Sequence, residues 1–299
     1  MTHSFAHVLE RYGVTDATLE RLSSVGNETL RVTHSSGESF LLRAHAPGRH
    51  SVGAITSELL WLEYLHAQNF EVQQPVLLEG GGFVLELDGR FYTLLSWLDG
   101  EVLDSLNEQQ ARDAGVLMAR LHEQARTFAP PPGFIRPTYD PAHFGGILAR
   151  LQALEWLKPD LPLLEQATEQ VKEIIRADIA TPVLIHADYH AGNLVVNSHR
   201  LSVIDFDLMG FGSKSLDLAT ALFFLELEGL QAAFLEGYRT ISSLEPNFKQ
   251  VLGSYTLAAY LENLSFLAER SEEREFLERG FLPELKQVWP NLLVDRISL

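Results

Sequence analysis

Two neighbouring stretches, VLIHADYHAGNLVV at residues 183–196 and LSVIDFD at residues 201–207, decide the fold and the chemistry that this chain supports. Each stretch joins short apolar runs of strand type to polar residues at their ends. Three oxygen-bearing side chains, those of Asp188, Asn193 and Asp205, therefore follow or adjoin strand ends. The pattern predicts a site that handles phosphate together with a divalent cation.

Magnesium chemistry explains why these residue types occur together. Mg²⁺ binds through one or two carboxylates plus phosphate oxygens and keeps several of its waters. Asn193 and Asp205 supply oxygens of that kind, so we predict them as the metal ligands. Asp188 would then accept a hydrogen bond from a substrate hydroxyl and orient it toward a terminal phosphoryl group, which makes it the predicted catalytic residue.

The two motifs together resemble a known family signature. HADYHAGN at 186–193 followed by IDFD at 204–207 is similar to the paired motif of the aminoglycoside phosphotransferase and choline kinase superfamily, whose members are relatives of protein kinases. In protein kinases Phe-Gly follows the metal-binding Asp. Asp207 stands at that Gly position here, which favours the small-molecule branch. The resemblance implies an enzyme that uses ATP and Mg²⁺ to phosphorylate a hydroxyl of a small molecule.

The resemblance also implies the fold. We expect an α+β, two-lobed, protein-kinase-like chain, with a five-stranded antiparallel sheet and a helix in the N-terminal lobe and a mainly helical C-terminal lobe. The helix is expected at 57–68. We place the nucleotide-binding lobe at 1–95 and the catalytic and acceptor-binding lobe at 96–299. Runs of strand type that supply the sheet occur at 19–22, 29–33, 40–44, 76–78, 83–87 and 91–95.

Two segments of the predicted N-terminal lobe are candidates for nucleotide contact through backbone groups. The turn at Gly26 and Asn27 lies where a kinase-like fold places a loop over the ATP phosphates, although an ordinary hairpin explains the same residues. The segment from Ser96 to Leu98 resembles the superfamily hinge, whose backbone groups would hydrogen-bond adenine.

A cation and a carboxylate complete the predicted nucleotide site. Arg43, on the third predicted strand, stands where the superfamily carries a phosphate-binding Lys or Arg. Its planar guanidinium suits phosphate oxygens and leaves donors for a carboxylate. Glu58, in the following helix, is the expected partner, and the alternative is that both are unrelated surface charges.

Other polar residues of the second predicted lobe are assigned structural roles. The spacing of Ser105 and Glu108 is typical of a capping box that begins a helix. His122 and His186 are predicted to be structural rather than catalytic. Asp217 is predicted to brace a loop or begin a helix.

The acceptor is expected to be cationic. The superfamily often uses amine-bearing substrates, and this chain has an excess of carboxylates. Glu226, Glu228, Glu262 and Tyr255 are the residues that would provide carboxylates and an aromatic face to an ammonium group. Solvated helix faces are the alternative for each carboxylate.

Composition narrows the partners. The 299 residues include 40 acidic and 23 basic side chains, which gives a formal charge of -17 and predicts neither a nucleic-acid nor a membrane partner. The absence of Cys excludes disulfides and thiolate chemistry. No apolar run is long enough for a membrane span or typical of a targeting segment, so we expect a cytoplasmic protein.

Several alternatives stay open at this stage. His186, Asp188 and His190 could form a zinc cluster, but that would leave Asn193 and Asp205 unexplained. A Ser/Thr protein kinase of the bacterial stress-response type and a catalytically silent nucleotide-binding regulator share the same motifs. The sequence does not decide the acceptor among aminoglycosides, amino alcohols and homoserine, nor ATP against GTP, nor the oligomeric state.

Overall fold

The computed structural model describes residues 5–22, 26–178, 181–198, 200–225 and 227–292. The chain divides into two compact units. The first unit contains the described residues up to Leu103 together with the segments 128–136 and 194–207. The second unit contains the segments 104–127 and 137–193 and the described residues from Leu208 onward. The functional division into lobes at residues 95 and 96 stays a prediction.

The strands and helices are numbered in chain order. The strands are β1 Ala17–Leu22, β2 Glu28–His34, β3 Ser39–Ala44, β4 Val84–Leu87, β5 Arg90–Ser96, β6 Glu101–Val102, β7 Val183–Ile185, β8 Leu194–Asn197, β9 Arg200–Val203 and β10 Gly210–Gly212. The helices are α1 Phe5–Glu10, α2 Val52–Ala67, α3 Glu108–Thr127, α4 Pro141–Gln152, α5 Leu161–Ala177, α6 Lys214–Phe223, α7 Glu228–Arg239, α8 Phe248–Ala268, α9 Arg274–Phe276 and α10 Leu282–Leu292.

The first unit is built on a five-stranded antiparallel sheet with the strand order β1-β2-β3-β5-β4. This confirms the predicted sheet. Alternation along the strands sends Leu30, Val32 and Leu42 to one face, where they form a core with Val8 and Leu9 of α1. Arg43 is adjacent to Leu42 in β3 and therefore belongs to the opposite face of the sheet.

The strand predicted at residues 76–78 is wrong. These residues form no strand, although the Val76 N–H donates to the Leu94 carbonyl at the edge of β5. The Leu78 N–H instead donates to the Gly82 carbonyl, which closes a turn in which Gly81 and Gly82 have φ of 86° and 80°. The glycines of this turn bend the chain away from the edge of β5, so the pairing ends at the isolated bridge between Pro75 and Leu95.

The second unit is mainly helical, as predicted. Its helices α3 and α7 approach closely because each carries a glycine at their contact. A Cβ at Gly115 would lie 1.9 Å from the Phe234 carbonyl oxygen, and one at Gly237 would lie 1.9 Å from that of Arg112. Any larger residue at either glycine would force the two helices apart.

Helix α3 begins two residues later than its predicted capping box. Asn107 and Gln110 form the reciprocal pair: the Gln110 N–H donates to Asn107 Oδ1 and the Asn107 N–H donates to Gln110 Oε1, both at 2.9 Å. The box predicted at Ser105 and Glu108 is therefore wrong, because Asn and Gln satisfy the same exposed N–H groups in this register.

The last helical part of the described chain is interrupted. A 3-10 turn at Ser271–Glu273 precedes α9, and a π-helical turn at Leu277–Phe281 joins α9 to α10.

Among the helices that the structure describes, none combines the length and the apolar character needed to cross a bilayer.

Candidate active site

Three of the predicted residues meet in the first unit and are called the Arg43 cluster: Arg43, Glu58 and Asp205. Arg43 Nη1 lies 2.8 Å from Glu58 Oε1, and Nη2 lies 3.5 Å from Asp205 Oδ1. Arg43 and Glu58 are 5% and 1% exposed, respectively, so this ion pair is internal. The alternative that both are unrelated surface charges is excluded by this geometry.

The charge of Arg43 is secured by its surroundings. Burial alone would lower the pKa of Arg43, but the carboxylates of Glu58, Asp205 and Asp207 raise the pKa above its ordinary value. Removing one partner of such a buried pair usually costs about 3–5 kcal/mol, because the other charge is left uncompensated.

We expect Arg43→Ala to weaken Mg-ATP binding and Arg43→Lys to recover part of it, because an ammonium supplies the charge but lacks the planar fork. Calorimetric Kd values for Mg-ATP would measure both effects. The melting temperature should fall in the Ala variant more than in the Lys variant, since Glu58 keeps a counter-charge only in the latter. Equal Mg-ATP affinity in all three proteins would contradict the role of Arg43.

Asp205 is presented by a strained turn that a buried arginine holds. Asp205 has φ of 61°, a conformation that few residues other than Gly adopt, and its side chain is 48% exposed. Arg136 Nη2 donates to the Asp207 carbonyl at 2.6 Å and lies 3.3 Å from the Phe206 carbonyl oxygen. Arg136 Nη1 donates to the Ala54 carbonyl at 3.1 Å, which ties this turn to the first turn of α2.

The segment that carries Arg136 packs along α2. The Ile135 N–H donates to Ser57 Oγ at 2.7 Å, and the Phe128 ring lies 5.0 Å from Trp61 and 4.9 Å from Tyr64. This segment, at residues 128–136, contains no helix. Its packing on the helix that bears Glu58 was not predicted.

The turn at Gly26 and Asn27, called the Gly26 turn, is attached to the loop between β3 and α2. Gly26 has φ of 97°, and Asn27 Oδ1 accepts the Ala46 N–H at 3.1 Å. Asn27 therefore holds the turn through its side chain, whereas the prediction assigned it a backbone contact with phosphate. That predicted contact stays a prediction for both residues.

The predicted hinge follows β5. The Ser96 N–H already donates to the Gln74 carbonyl at 2.8 Å, and the Trp97 N–H donates to the Ser39 carbonyl at 3.2 Å. The Arg31 guanidinium carbon lies 4.5 Å from the centre of the Trp97 ring. Leu98 lies directly after these engaged residues and is partly buried.

In the second unit, the segment 186–193 that follows β7 is called the Asp188 loop. Asn193 Nδ2 donates to the Asp188 carbonyl at 2.8 Å and to Asp188 Oδ2 at 3.0 Å. His190 Nε2 lies 3.6 Å from Asp188 Oδ1, and His190 Nδ1 accepts the Gly192 N–H at 3.1 Å. The predicted base and one predicted metal ligand are thus in direct contact.

These contacts keep Asp188 ionised. Burial raises the pKa of the Asp188 carboxyl, but His190, His186 and Asn193 outweigh burial and lower the pKa below its ordinary value. An ionised carboxylate is a hydrogen-bond acceptor only, as the predicted orientation of a substrate hydroxyl requires.

The predicted metal ligands fit Mg²⁺ in their chemistry. Asn193 Nδ2 lies within hydrogen-bond distance of the Asp188 carbonyl, of Asp188 Oδ2 and of His190 Nε2, so the nitrogen of the amide faces these groups and its oxygen, Oδ1, is the atom that could bind a metal. Asp205 contributes a carboxylate that is half exposed. An amide oxygen and a carboxylate are hard donors of the kind that Mg²⁺ prefers.

A buried carboxylate braces the Asp188 loop from α6. Asp217 Oδ2 accepts the His186 N–H at 3.0 Å, and Oδ1 accepts the Ala187 N–H at 2.8 Å. His122 Nε2 lies 2.9 Å from Asp217 Oδ2, and His122 Nδ1 lies 2.9 Å from the Tyr238 hydroxyl. The structural roles predicted for His122 and Asp217 agree with these contacts.

The brace holds a strained backbone. Ala187, directly before Asp188, has φ of 64°, which costs free energy in a residue with a Cβ. Burial raises the pKa of Asp217, but His122 and His186 outweigh it and lower the pKa below its ordinary value. The ionised Asp217 therefore offers two acceptors to the N–H groups on either side of this strained peptide.

Asp217→Asn is expected to destabilise the protein by about 3 kcal/mol and to lower kcat strongly. The new amide would direct an N–H at the His186 or Ala187 N–H, so one donor in the buried brace would lose its acceptor. Urea denaturation and steady-state assays would measure the two effects. The same change at Asp113, an exposed acceptor for Gln109 on α3, is the control and should alter neither.

The structure corrects one residue of the predicted acceptor pocket. Tyr255 is 1% exposed and its hydroxyl donates to Asp178 Oδ2 at 2.6 Å, so Tyr255 is a core residue and offers no ring face to an ammonium group. Glu262 is partly buried and pairs with His143. Glu228 is exposed at the start of α7, and Glu226 lies outside the described residues.

A model of the phosphotransferase enzyme family matches residues 18–248. The chain belongs to this family. The predicted resemblance is therefore confirmed, and the protein is a phosphotransferase enzyme. A probable ketoamine kinase of Enterococcus faecium is 25% identical over 202 residues, which cover 60% of this chain and 67% of that relative.

Solved structures confirm the protein-kinase-like fold predicted from the sequence. An amicoumacin kinase, solved in complex with AMP-PNP, Ca²⁺ and Ami, has a TM-score of 0.80 at 19% identity, and the match covers 94% of this chain and 92% of that one. A microcompartment-associated aminopropanol kinase has a TM-score of 0.77 at 24% identity and covers 97% and 98%, respectively. At these identities the likeness establishes the fold alone.

Proposed function

We propose that this protein is an ATP-dependent kinase that transfers the γ-phosphoryl group of Mg-ATP to a hydroxyl of a small molecule. The main support is the arrangement of side chains in the Asp188 loop of this chain, which belongs to the phosphotransferase enzyme family. There, Asn193 Nδ2 contacts the Asp188 carbonyl and Asp188 Oδ2, and the pKa of Asp188 is lowered, so its carboxylate is ionised and can accept a hydrogen bond. A silent regulator would have no need of this arrangement.

Each residue has a distinct task in the proposed reaction. Asp188 accepts the hydrogen bond of the acceptor hydroxyl and orients its oxygen for attack on the terminal phosphorus. Asn193 and Asp205 would hold Mg²⁺, which when bound neutralises charge on the phosphates. Arg43 supplies a permanent positive charge to the phosphates, and Glu58 fixes the position of its guanidinium.

We assign nucleotide binding to residues 1–95 and catalysis and acceptor binding to residues 96–299. The Gly26 and Asn27 turn would cover the phosphates. At the hinge, Leu98 is the better candidate for the adenine contact, because the Ser96 N–H is committed to Gln74.

An amine-bearing acceptor is the finer form of the proposal. The relatives include a probable ketoamine kinase and an aminopropanol kinase, whose names denote acceptors that contain an amine or an amine-derived nitrogen. The partly buried carboxylate of Glu262 and the formal charge of -17 favour a cation over an anion as the acceptor.

An acceptor screen with purified protein tests the proposal. ADP release from Mg-ATP would be followed with amino alcohols, ketoamines, aminoglycosides, homoserine, neutral sugars and a generic protein substrate. We expect turnover with small amines, with a KM advantage over neutral analogues that shrinks as salt rises. Phosphorylation of protein alone would favour a protein kinase, and a thermal shift with Mg-ATP but no ADP release with any acceptor would favour a regulator.

A further inference from the structure

Carboxylates outnumber cations in the Arg43 cluster, where the proposed function places the phosphates of ATP. Both Nη atoms of Arg43 face carboxylates, and its side chain is only 6% exposed. Asp207, two residues after Asp205, adds a further buried carboxylate. These side chains comprise one cation and three carboxylates, so a polyphosphate would meet more negative than positive charge from the protein unless another cationic side chain lay close by, and Mg²⁺ alone would have to offset it.

Arg49, in the loop between β3 and α2, is that cation. Its Nη2 lies 2.7 Å from Asp207 Oδ2, and its side chain is 22% exposed, more than that of Arg43. His50 Nε2 lies 3.1 Å from the other carboxylate oxygen of Asp207.

Arg49 also lies directly against the Gly26 turn. A Cβ added to Gly26 would fall 2.2 Å from Arg49 Nη1, so the guanidinium occupies the space that any other residue at position 26 would fill. Asn27 ties the same turn to Ala46 of the Arg49 loop. The guanidinium thus connects the predicted phosphate-covering turn with Asp207, two residues after the predicted metal ligand Asp205.

We propose that Arg49 is a second phosphate-binding cation, whose guanidinium bridges Asp207 and the outer phosphates of the nucleotide beneath the Gly26 turn. The inference rests on the proposed kinase function and adds a binding residue to it. A guanidinium has five N–H donors in a rigid plane, so one such group can hold a carboxylate and phosphate oxygens together. In Arg49, Nη2 contacts Asp207 and Nε lies 3.4 Å from His50 Nε2. Arg43, by contrast, acts mainly from a buried position.

The competing explanation is that Arg49 only neutralises Asp207. The two explanations differ in a double-mutant cycle. If Arg49 serves Asp207 alone, Arg49→Met should lose its effect when Asp207 is already Asn; if Arg49 contacts phosphate, the effect on ATP should persist in that background.

The experiment measures Kd for Mg-ATP and for AMP in the wild type, Arg49→Met, Arg49→Lys, Asp207→Asn and the Arg49→Met/Asp207→Asn double variant. We expect Arg49→Met to weaken Mg-ATP binding by about tenfold or more and AMP binding by less than about twofold, because the lost charged hydrogen bonds reach only the outer phosphates. Arg49→Lys should restore part of the Mg-ATP affinity. Arg21→Met removes a charge from an exposed cation of β1 and should change neither Kd.

The outcomes separate the inference from the proposed function. Unchanged Mg-ATP affinity in Arg49→Met, an equal loss for AMP, or a loss that vanishes in the Asp207→Asn background would each overturn the role of Arg49 while the kinase proposal stands. A wild-type protein that binds no Mg-ATP would overturn both. Melting temperatures of all variants, with the Lys variant as the charge-preserving reference, identify any loss that comes from misfolding.

Discussion

Asp188→Asn should reduce phosphoryl transfer by about 10²–10⁴-fold, the range typical of a lost general base, while Mg-ATP affinity changes little. The substitution keeps the size of the side chain and leaves an amide oxygen to accept from Asn193 Nδ2. It removes the negative charge that orients the acceptor hydroxyl. Single-turnover transfer and calorimetric Mg-ATP binding would measure the two quantities separately.

A matched control makes this result specific. Asp104 is exposed in the second unit, and Asp104→Asn removes the same charge from the chain without touching the Asp188 loop. The control should keep wild-type transfer. If Asp188→Asn keeps wild-type turnover, Asp188 does not orient the acceptor hydroxyl. A large loss of Mg-ATP affinity would instead mean that Asp188 holds the metal.

The sequence predicted those features that depend on short-range pattern. Apolar runs and turn residues placed the strands of the antiparallel sheet. Asp188 and Asn193 were predicted to lie on one loop, and there the two side chains are in contact. Arg43 and Glu58 were paired through the motif order of the family, which substitutes for knowledge of the tertiary fold.

Features that depend on distant parts of the chain could not be predicted in this way. Arg136 contacts the carbonyl of Asp207, which is 71 positions away, and no periodicity or motif connects the two. The position of Tyr255 in its helix predicts a place in the acceptor pocket. That helix is apolar on most sides, however, and the Tyr255 hydroxyl donates a hydrogen bond to the Asp178 carboxylate. Arg49 offered only one signal, its position in the short loop after the predicted Arg43 strand.

Asp205→Ala should abolish the Mg²⁺-dependent part of nucleotide binding, which is the other large effect that we expect. Asp205 supplies the proposed carboxylate ligand of the metal, and without it the phosphate charge is left uncompensated. The stability of the protein without ligand should change by only about 1 kcal/mol, because a half-exposed ion pair contributes little and Arg43 keeps Glu58 as its partner. The protein should therefore remain folded while it loses its ligand.

The Asp205→Asn variant distinguishes the loss of the carboxylate charge from an effect on the backbone conformation. Asp205 has φ of 61°, and Ala tolerates that conformation less well than Asn does, so a fault of the Ala variant alone would point to the turn. The wild type should gain about 2.7 kcal/mol of stability at a Mg-ATP concentration of 100 times Kd. Both variants should lose most of that gain, and each should respond alike to ATP with Mg²⁺ and to ATP with a chelator. If Mg-ATP stabilises Asp205→Asn as much as the wild type, Asp205 does not hold the metal, and the Mg²⁺ ligands must be sought elsewhere in the chain.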